Sequence, residues 1–525
     1  MRSLRAAAVY ACAVVVTAQV AACTQREVGA SPIARGADEL FGERLVPRFE
    51  LELDDAARAS LARAPKEWVR GTFRYAGVTY PDVAVRLKGN RSRQGLGAKP
   101  AFKIRFDKFV DKRRFLGLSQ LVLNNLVEDP TMVREALAYR LHRDLGVPAP
   151  RTGWAQLRLN GEDLGLYLDL EAVDDPLLER VFDDHKGTVY EGEFGCDLYP
   201  DDAPRFEQDG GKDQDHADLI ELAARVSGGA DDPSRLFAAD GPLDVERVVA
   251  YLAVSAVIGD FDGYRHSHNY RLHHDRRTDR WSMLPWGLDR TFKKHLDVMD
   301  SGGLLARRCF ADDRCRARYA VAVERAAARL QHLAATGVLD RWFILVDAAT
   351  VRDPRKPYDA KAMSEARSEL RRFVGSRPGE VRASLGALAS PPRPPAPACE
   401  PATVGGAGFQ LCRTPLTWAE AEAHCATLGA HLARIDDAEQ SRGLAGLIRE
   451  RGGSAGNDRW WIGLSDRGRE DQAAWSDGAP VGFTGWAEGQ PDDAACGEDC
   501  AALRPKNGTW SDGHCALRRP FICRR

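Results

Sequence analysis

Apolar and polar residues alternate in Phe49-Glu50-Leu51-Glu52-Leu53, the period-two pattern of a strand with one buried face. Trp68–Tyr75, Val83–Leu87 and Ala101–Phe106 read the same way and predict a β-rich unit. The period then lengthens. Asp129-Pro130 precedes TMVREALAYRLHRDLG; an acid at the cap, proline in the first turn and a terminal glycine predict a helix from Asp129. Two runs flank Asn160-Gly161, a strong hairpin turn, and the second ends at Glu171. Periodicity is weak from Gly192 to Gly211, and Val245–Val257 reads as an apolar helix. It leads into VIGDFDGYRHSHNYRLHHDRRTDRWSMLPWGLDRTFKK, Val257 to Lys294, where Asn269–Leu272 and Trp281–Leu284 predict a hairpin across a polar turn, His274–Asp279. Helices follow around Arg316–Leu333 and Ala360–Phe373. Pro391 to Pro397 is a stiff proline-rich spacer. Beyond it the pattern predicts helices Thr417–Leu428 and Asp437–Arg451, a strand Trp460–Leu464, and loops rich in Gly, Asp and Pro.

At 525 residues the chain can hold two to four domains. A balance of 74 basic against 76 acidic residues leaves a net charge of −2, so no global field favours nucleic acid or an anionic membrane. The first residues carry an address: Arg2 and Arg5, an apolar run from Ala6 to Val20 too short for an ordinary spanning helix, then Val20-Ala21-Ala22-Cys23. These small residues before a cysteine resemble a bacterial lipobox. The resemblance implies cleavage before Cys23, lipidation of Cys23, and an extracytoplasmic protein held at the outer membrane or cell surface by its lipid anchor alone. Cysteine usage agrees with export: seven of the 12 cysteines fall between Cys399 and Cys523, a density that reads as a disulfide framework. Cys309 and Cys315 close the short loop CFADDRC and are expected to pair, while Cys196 and Cys496 are left over, free or bridging the domains.

The hairpin after Val257 draws the first chemical reading. Pairing its strands brings Asp262 and Asn269 near Asp289, and two carboxylates with an amide at a hairpin mouth suit a hard-oxygen site for Mg²⁺ and phosphate. Upstream, Lys103 on a strand and Lys99, behind a Gly-Leu-Gly loop (Gly95–Gly97), are candidates for nucleotide phosphates. Two other readings stay open: a solvated, salt-bridged loop, and a metallohydrolase centre built on His266, His268 and Asp262.

VAVRLKGNRSR, KPAFKIRF, LNNLVEDPTMVREALAYRLHRDLGVPAPR, LNGEDLGLYLDLEAVD, HNYRL and LPWGLDRTF occur in the chain in that order. They resemble successive blocks of the CotH kinase family, the spore-coat protein H-like proteins. The resemblance implies an atypical protein-kinase-like α+β fold with two lobes over residues 46–390, using Mg²⁺ and ATP to phosphorylate protein serines or threonines. By the same resemblance Lys103 or Lys99 contacts the phosphates, Asp262 orients or deprotonates the acceptor hydroxyl, Asn269 and Asp289 hold Mg²⁺, and Glu171 lies in or near the nucleotide pocket. One departure stands out. The family pattern Pro-Trp-Asp-x-Asp is here Pro285-Trp286-Gly287-Leu288-Asp289; loss of an anionic ligand predicts weaker Mg²⁺ binding and keeps open a binding-only adhesin or surface-assembly protein.

WWIGL, GWAEGQPDD, GEDC, GTWSDGHC and FIC resemble the C-type lectin fold, a small disulfide-stapled α+β domain, over residues 399–525. That resemblance implies bridges Cys399–Cys412, Cys425–Cys523 and Cys500–Cys515. It also implies a Ca²⁺ and sugar site on Gln490, Asp492, Glu498, Ser511 and Asp512, of the galactose type because Gln490-Pro491-Asp492 stands where Glu-Pro-Asn would suggest mannose. Ser511 departs from the family's asparagine, and a calcium-free protein-binding relative remains the alternative. The expected organisation is thus a signal segment at 1–22, a tether at 23–45, the kinase-like domain at 46–390, a linker at 391–398 and the lectin-like domain at 399–525, with a glycan or glycoprotein partner and an unnamed protein phosphoacceptor.

Overall fold

The alternating segments close on themselves. In the computed structural model β1 (Arg48–Glu52), β2 (Val69–Tyr75), β3 (Val78–Lys88), β4 (Ala101–Arg105), β5 (Gln120–Asn124), β6 (Thr152–Leu159) and β7 (Glu162–Glu171) form a barrel in the order β1-β2-β3-β4-β5-β7-β6, with β6 parallel to β1. The structure describes residues 36–89, 93–182, 187–211, 215–228, 233–388, 399–451, 459–467, 472–491, 499–513, 515 and 519–525. Cys23 and the signal segment, Asp492, Cys496 and Glu498 lie outside the described residues. The barrel is filled by aromatic rings: Phe49, Phe73, Phe106 and Phe115 meet at centroid separations of 5.1 to 5.9 Å, mostly edge to face as ring quadrupoles favour. Asn160 and Gly161 both take positive φ, 49° and 84°, the geometry of a tight hairpin turn. β7 is buried on both faces, with Tyr167 inside the barrel and Leu166, Leu168 and Leu170 against the helices, which is why Gly-Leu-Tyr-Leu reads as a continuous apolar run.

Helix α1 (Asp55–Arg63) covers one side of the barrel. The helix expected from Asp129 begins five residues later, as α2 (Arg134–Asp144). Asp129 is fully buried and accepts bonds from the Thr131 amide and hydroxyl, the Arg134 amide and the Arg134 guanidinium. With Met132 at φ 66°, Asp129 organises a turn before the helix rather than capping it.

The second lobe is built on the sheet β11-β10-β8-β9, formed by β8 (Thr188–Gly192), β9 (Phe206–Gly210), β10 (Tyr270–Asp275) and β11 (Arg280–Pro285). The last two are the expected hairpin, in register from Tyr270 opposite Pro285 to Asp275 opposite Arg280. Around it pack α3 (Asp175–Val181), α4 (Ala217–Ser227), α5 (Val245–Val257), α6 (Leu304–Ala311), α7 (Asp313–Ala335), α8 (Val338–Arg352) and α9 (Ala360–Leu388). Helix α5 has the bounds its all-apolar pattern predicted and is buried nearly all round. Helix α9 runs fifteen residues beyond the expected Phe373, through Pro378. Cys309–Cys315 bridges α6 and α7. Among the described residues no helix is long and apolar enough to cross a membrane.

In the last domain β12 (Cys399–Val404) and β13 (Ala407–Leu416) pair with the closing strand Arg519–Arg524. Helices α10 (Trp418–Thr427) and α11 (Ala438–Glu450) flank a sheet that includes Trp460–Ser465 and Cys500–Leu503. The bridges are Cys399–Cys412, Cys425–Cys523 and Cys500–Cys515; Cys196 is buried outside the four bridges. This domain rests on the second lobe: Arg307 of α6 reaches Glu420 of α10 at 3.3 Å and donates to the Tyr199 hydroxyl at 3.1 Å, while Arg467 lies 5.3 Å over the Tyr199 ring.

Candidate functional site

The site begins where α5 ends. Gly259, at φ 63°, turns the chain where any Cβ would overlap the Lys294 carbonyl oxygen. The loop beyond is held from beneath by Asp197, a fully buried carboxylate that accepts from the Tyr264 hydroxyl at 2.8 Å, the Ser267 hydroxyl at 3.1 Å and the Leu304 amide at 2.7 Å. Ser267 and Asn269 both take left-handed backbone, φ 51° and 49°, which folds Asn269 back on Asp262. The Asn269 amide donates to the Asp262 carbonyl at 2.8 Å and to its carboxylate at 3.3 Å.

The β10–β11 register then returns the chain beside Asn269. Gly287, at φ 60°, sits so close that a Cβ there would lie 2.9 Å from Asn269 Cγ and 3.0 Å from its Oδ1. Asp289 follows in the short turn Leu288–Arg290. The three residues expected to converge are therefore brought together, with Asn269 against both acidic corners. Burial drives the Asp289 carboxyl up to about 6, Lys88 pulling against it. Burial also pushes Asp262 upward, but His268, at 3.7 Å, with Arg290 and His266, outweighs it and holds that carboxyl below the ordinary value. Beneath them Asp260 is pushed up to about 8 by burial and by the charges of Asp262 and Asp289.

Facing this corner is a cluster that sequence reasoning missed. Lys88, the last residue of β3, donates to Asn124 Oδ1, and the Asn124 amide donates to both oxygens of Glu135 at 2.9 Å. Glu135 lies in the first turn of α2 and is raised to about 8 by burial and by Asp289. Lys88 also sits 5.2 Å over the Trp286 ring. Arg271, fully buried on β10, stacks on the same ring at 4.3 Å and pairs with Glu191 and Asp209. The signal was in β3, where Val83, Val85 and Leu87 are buried in the barrel while Arg86 and Lys88 take the other face, and β4 sets Lys103 opposite Arg86. Lys103 thus joins the same buried charged cluster, brought down to about 8 by burial and by Arg271, with Asp209 opposing.

The other two nucleotide candidates are engaged elsewhere. Lys99 is buried in an ion pair with Asp353 at the end of α8. Glu171 is buried between Arg151 and Arg180 and also accepts the Arg151 amide at 2.9 Å. His266 and His268 ring Asp262 without a third metal ligand of their own; among the described residues the His/Cys/Asp/Glu group of metal-binding spacing is Cys399, Cys412 and His424, and its two cysteines form a disulfide.

In the last domain Gln490 precedes a cis bond to Pro491. Ser511 and Asp512 are buried at the end of a strand that pairs with Ala502 and Leu503. Ser511 Oγ has no hydrogen-bond partner among the described residues, so an oxygen donor sits in the position where the sequence departs from the lectin pattern. Trp475 packs in the core 5.8 Å from Trp510, and Trp486 lies 5.9 Å from the same ring.

Comparison with known proteins finds matches to both parts of the chain. A model of the CotH kinase protein family matches residues 85–381 and one of the lectin C-type domain matches residues 414–525. Over 119 residues the chain is 35% identical to the galactose-specific lectin nattectin of Thalassophryne nattereri, covering 23% of this chain and 74% of that protein. It is 33% identical over 119 residues to the hepatic lectin of Gallus gallus, covering 22% and 53%. Among solved structures, the mouse scavenger receptor C-type lectin carbohydrate-recognition domain is 30% identical, covering 25% of this chain and 94% of that chain with a TM-score of 0.21. The chain belongs to the CotH kinase protein family and carries a C-type lectin domain after its CotH domain.

Proposed function

We propose that the protein transfers a phosphoryl group from ATP to serine or threonine hydroxyls of a protein, and that its C-type lectin domain directs it to a carbohydrate-bearing partner. The observation that carries this reading is the Asn269–Asp262 contact, with Asp289 close enough for its charge to act on both Asp262 and the Lys88 end of the Lys88–Asn124–Glu135 chain. The donor set fits the cofactor: Asp289 and the Asn269 amide oxygen are hard ligands for Mg²⁺, and Lys88 and Lys103 are cations for phosphate oxygens. Bound there, Mg-ATP supplies the transferable group and neutralises its charge. The chain's own residues position the rest. Asp262, kept ionised by His268 and Arg290, accepts the proton of the acceptor hydroxyl. Glu135 and Asn124 fix the Lys88 ammonium. Asp197 holds the loop from below.

Gly287 favours a second reading, a binding-only adhesin or surface-assembly protein, because the family's first metal-binding acid is absent and Asn269 occupies the space beside it. Incubation with Mg²⁺ and γ-labelled ATP separates the two. The phosphotransfer reading expects incorporation that falls about a hundredfold or more in Asp262→Ala, Asp289→Asn and Lys88→Met. No incorporation, with nucleotide binding indifferent to these changes, leaves the binding-only protein.

For the lectin domain the reading is Ca²⁺-dependent binding of a galactose-type sugar through Gln490, Ser511 and Asp512 together with Asp492 and Glu498. It is supported by Gln490-Pro491-Asp492, by the Ser511 hydroxyl, which has no hydrogen-bond partner among the described residues, and by the likeness to a galactose-specific lectin. Retention on a galactose column that chelator abolishes is the expected result; retention indifferent to chelator removes calcium. Lipidation at Cys23 would hold both domains at the outer membrane or cell surface, and mass spectrometry of the mature N-terminus tests it.

A further inference from the structure

The approach to Asp262 carries three cations from one short stretch of chain, Arg290 to Lys294. Arg290 lies 3.7 Å from the Asp262 carboxylate and 5.0 Å over the Phe261 ring, and its Nε has no hydrogen-bond partner among the described residues. Lys294 approaches the same ring to 3.9 Å and is exposed. Lys293, also exposed, donates to the Glu128 carbonyl oxygen at 3.4 Å. The His266 ring lies against the Phe261 carbonyl oxygen, and the His268 ring lies 3.7 Å from the Asp262 carboxylate. The nearby acids are largely committed: Asp300 pairs with Arg265, and Glu380 with His295 and Arg377. Asp129 and Glu128 are the carboxylates that act on Lys293, and Asp129 is itself held by Thr131 and Arg134.

Two cations against one aromatic ring repel each other, and each gains from an anion placed between them. Arg290, Lys293 and Lys294 lie along a few consecutive residues of irregular chain. A single phosphate would satisfy one or two of them; a run of carboxylates on an extended peptide, with side chains about 7 Å apart on each face, would meet all three.

We propose that this rim is an acceptor-recognition surface and that it takes a peptide whose serine or threonine is flanked by aspartate and glutamate. Its assignment to the acceptor rests on the phosphotransfer reading; its charge preference does not. The test is fluorescence anisotropy on the full chain with a labelled peptide of serines set among glutamates, and with its glutamine and lysine counterparts. At low salt the acidic peptide should bind about tenfold or more tighter than the glutamine one, and weaken as salt rises. Lys293→Glu with Lys294→Glu should remove that advantage. Lys361→Glu, a change on an exposed lysine in the first turn of α9 that pairs with Glu365, should leave it intact, and Mg-ADP should not displace the peptide. Equal affinity for the three peptides, equal loss in the Lys361→Glu control, displacement by Mg-ADP, or tighter binding of a carboxylated polysaccharide of matched charge would each overturn the proposal. Selective binding without phosphoryl transfer would refute the phosphotransfer reading and leave this surface standing. Transfer to the lysine-flanked peptide in preference to the acidic one would do the reverse.

Discussion

Lys99 and Lys88 make opposite predictions, and Lys99→Met is the sharper test. Lys99 and Asp353 are almost wholly buried, at 2% and 0% side-chain exposure. Asp353 also accepts the Leu166 amide of β7 at 2.9 Å and the Arg355 amide at 2.8 Å, so the pair ties the barrel to the end of α8. Burial lowers the Lys99 ammonium and Asp353 works against it. Removing the lysine leaves a buried carboxylate with two backbone donors and no cation, a loss of about 3–5 kcal/mol. For a unit of this size that is a fall in melting temperature of about 5–10 °C. Calorimetry of the full chain reads it, with the lectin domain's transition, which contains neither residue, as the internal reference. Adding Asp353→Asn removes the stranded charge and should recover most of the loss, leaving a deficit of about 1–2 kcal/mol. Affinity for Mg-ATP should be unchanged in both variants, whereas Lys88→Met should weaken it with little change in melting. Should Lys99→Met melt like the wild type and lose nucleotide affinity, the structural role given to the Lys99–Asp353 pair is wrong.

Three further outcomes follow from named contacts. Gly287→Ala should destabilise by about 1–3 kcal/mol, from left-handed backbone and the approach to Asn269, and denaturant titration should show part of that cost relieved in an Asn269→Ala background. Asp169 is fully buried inside the barrel, neither oxygen has a hydrogen-bond partner among the described residues, and burial raises its carboxyl well above the ordinary value. Its raised folded pKa means its contribution is fully present below about pH 4 and is lost as pH rises toward the folded value, so Asp169→Asn should gain stability over wild type between about pH 5 and 8, the gap widening with pH; a constant gap in urea midpoints would contradict it. Arg307→Glu places like charges against Glu420, and the radius of gyration from small-angle scattering should rise as the lectin domain leaves the Tyr199 platform; an unchanged radius would show that other contacts suffice.

What was legible in the chain was local or carried by family pattern. Asn160-Gly161 declared its hairpin because positive φ at both positions is a property of those two residues. Helix α5 declared its bounds because a helix apolar over most of its surface has to be buried. The Asp129 helix was misplaced because the carboxylate spends its oxygens on Thr131 and on the guanidinium of Arg134, a side-chain arrangement that a capping pattern does not encode. The lysines failed for a longer-range reason. Lys99 stood beside a glycine-containing loop, as a phosphate-binding lysine would, but Asp353 claims it from 254 residues away. Lys88 ended a strand on what reads as the solvent face, and only the packing of α2 and the second sheet against the barrel sets that face against Glu135 and Trp286.

Gly287 shows how the two kinds of knowledge combine. The sequence says that an acid is absent; the structure says that Asn269, held in left-handed backbone and bonded to Asp262, occupies the space next to the missing side chain. The glycine and the asparagine are therefore one packing solution. Restoring the acid with Gly287→Asp adds a carboxylate only by moving Asn269, the residue placed to hold the same ion. Stronger Mg²⁺ binding is thus expected from Gly287→Asp only if the Asn269 amide can turn away from Asp262 without releasing the loop, and isothermal titration of Mg-ADP against Gly287→Asp, alone and with Asn269→Ala, reads that directly. Loss of affinity in the single variant and recovery in neither would mean that Asn269, and not the missing acid, is the ligand on which the site depends.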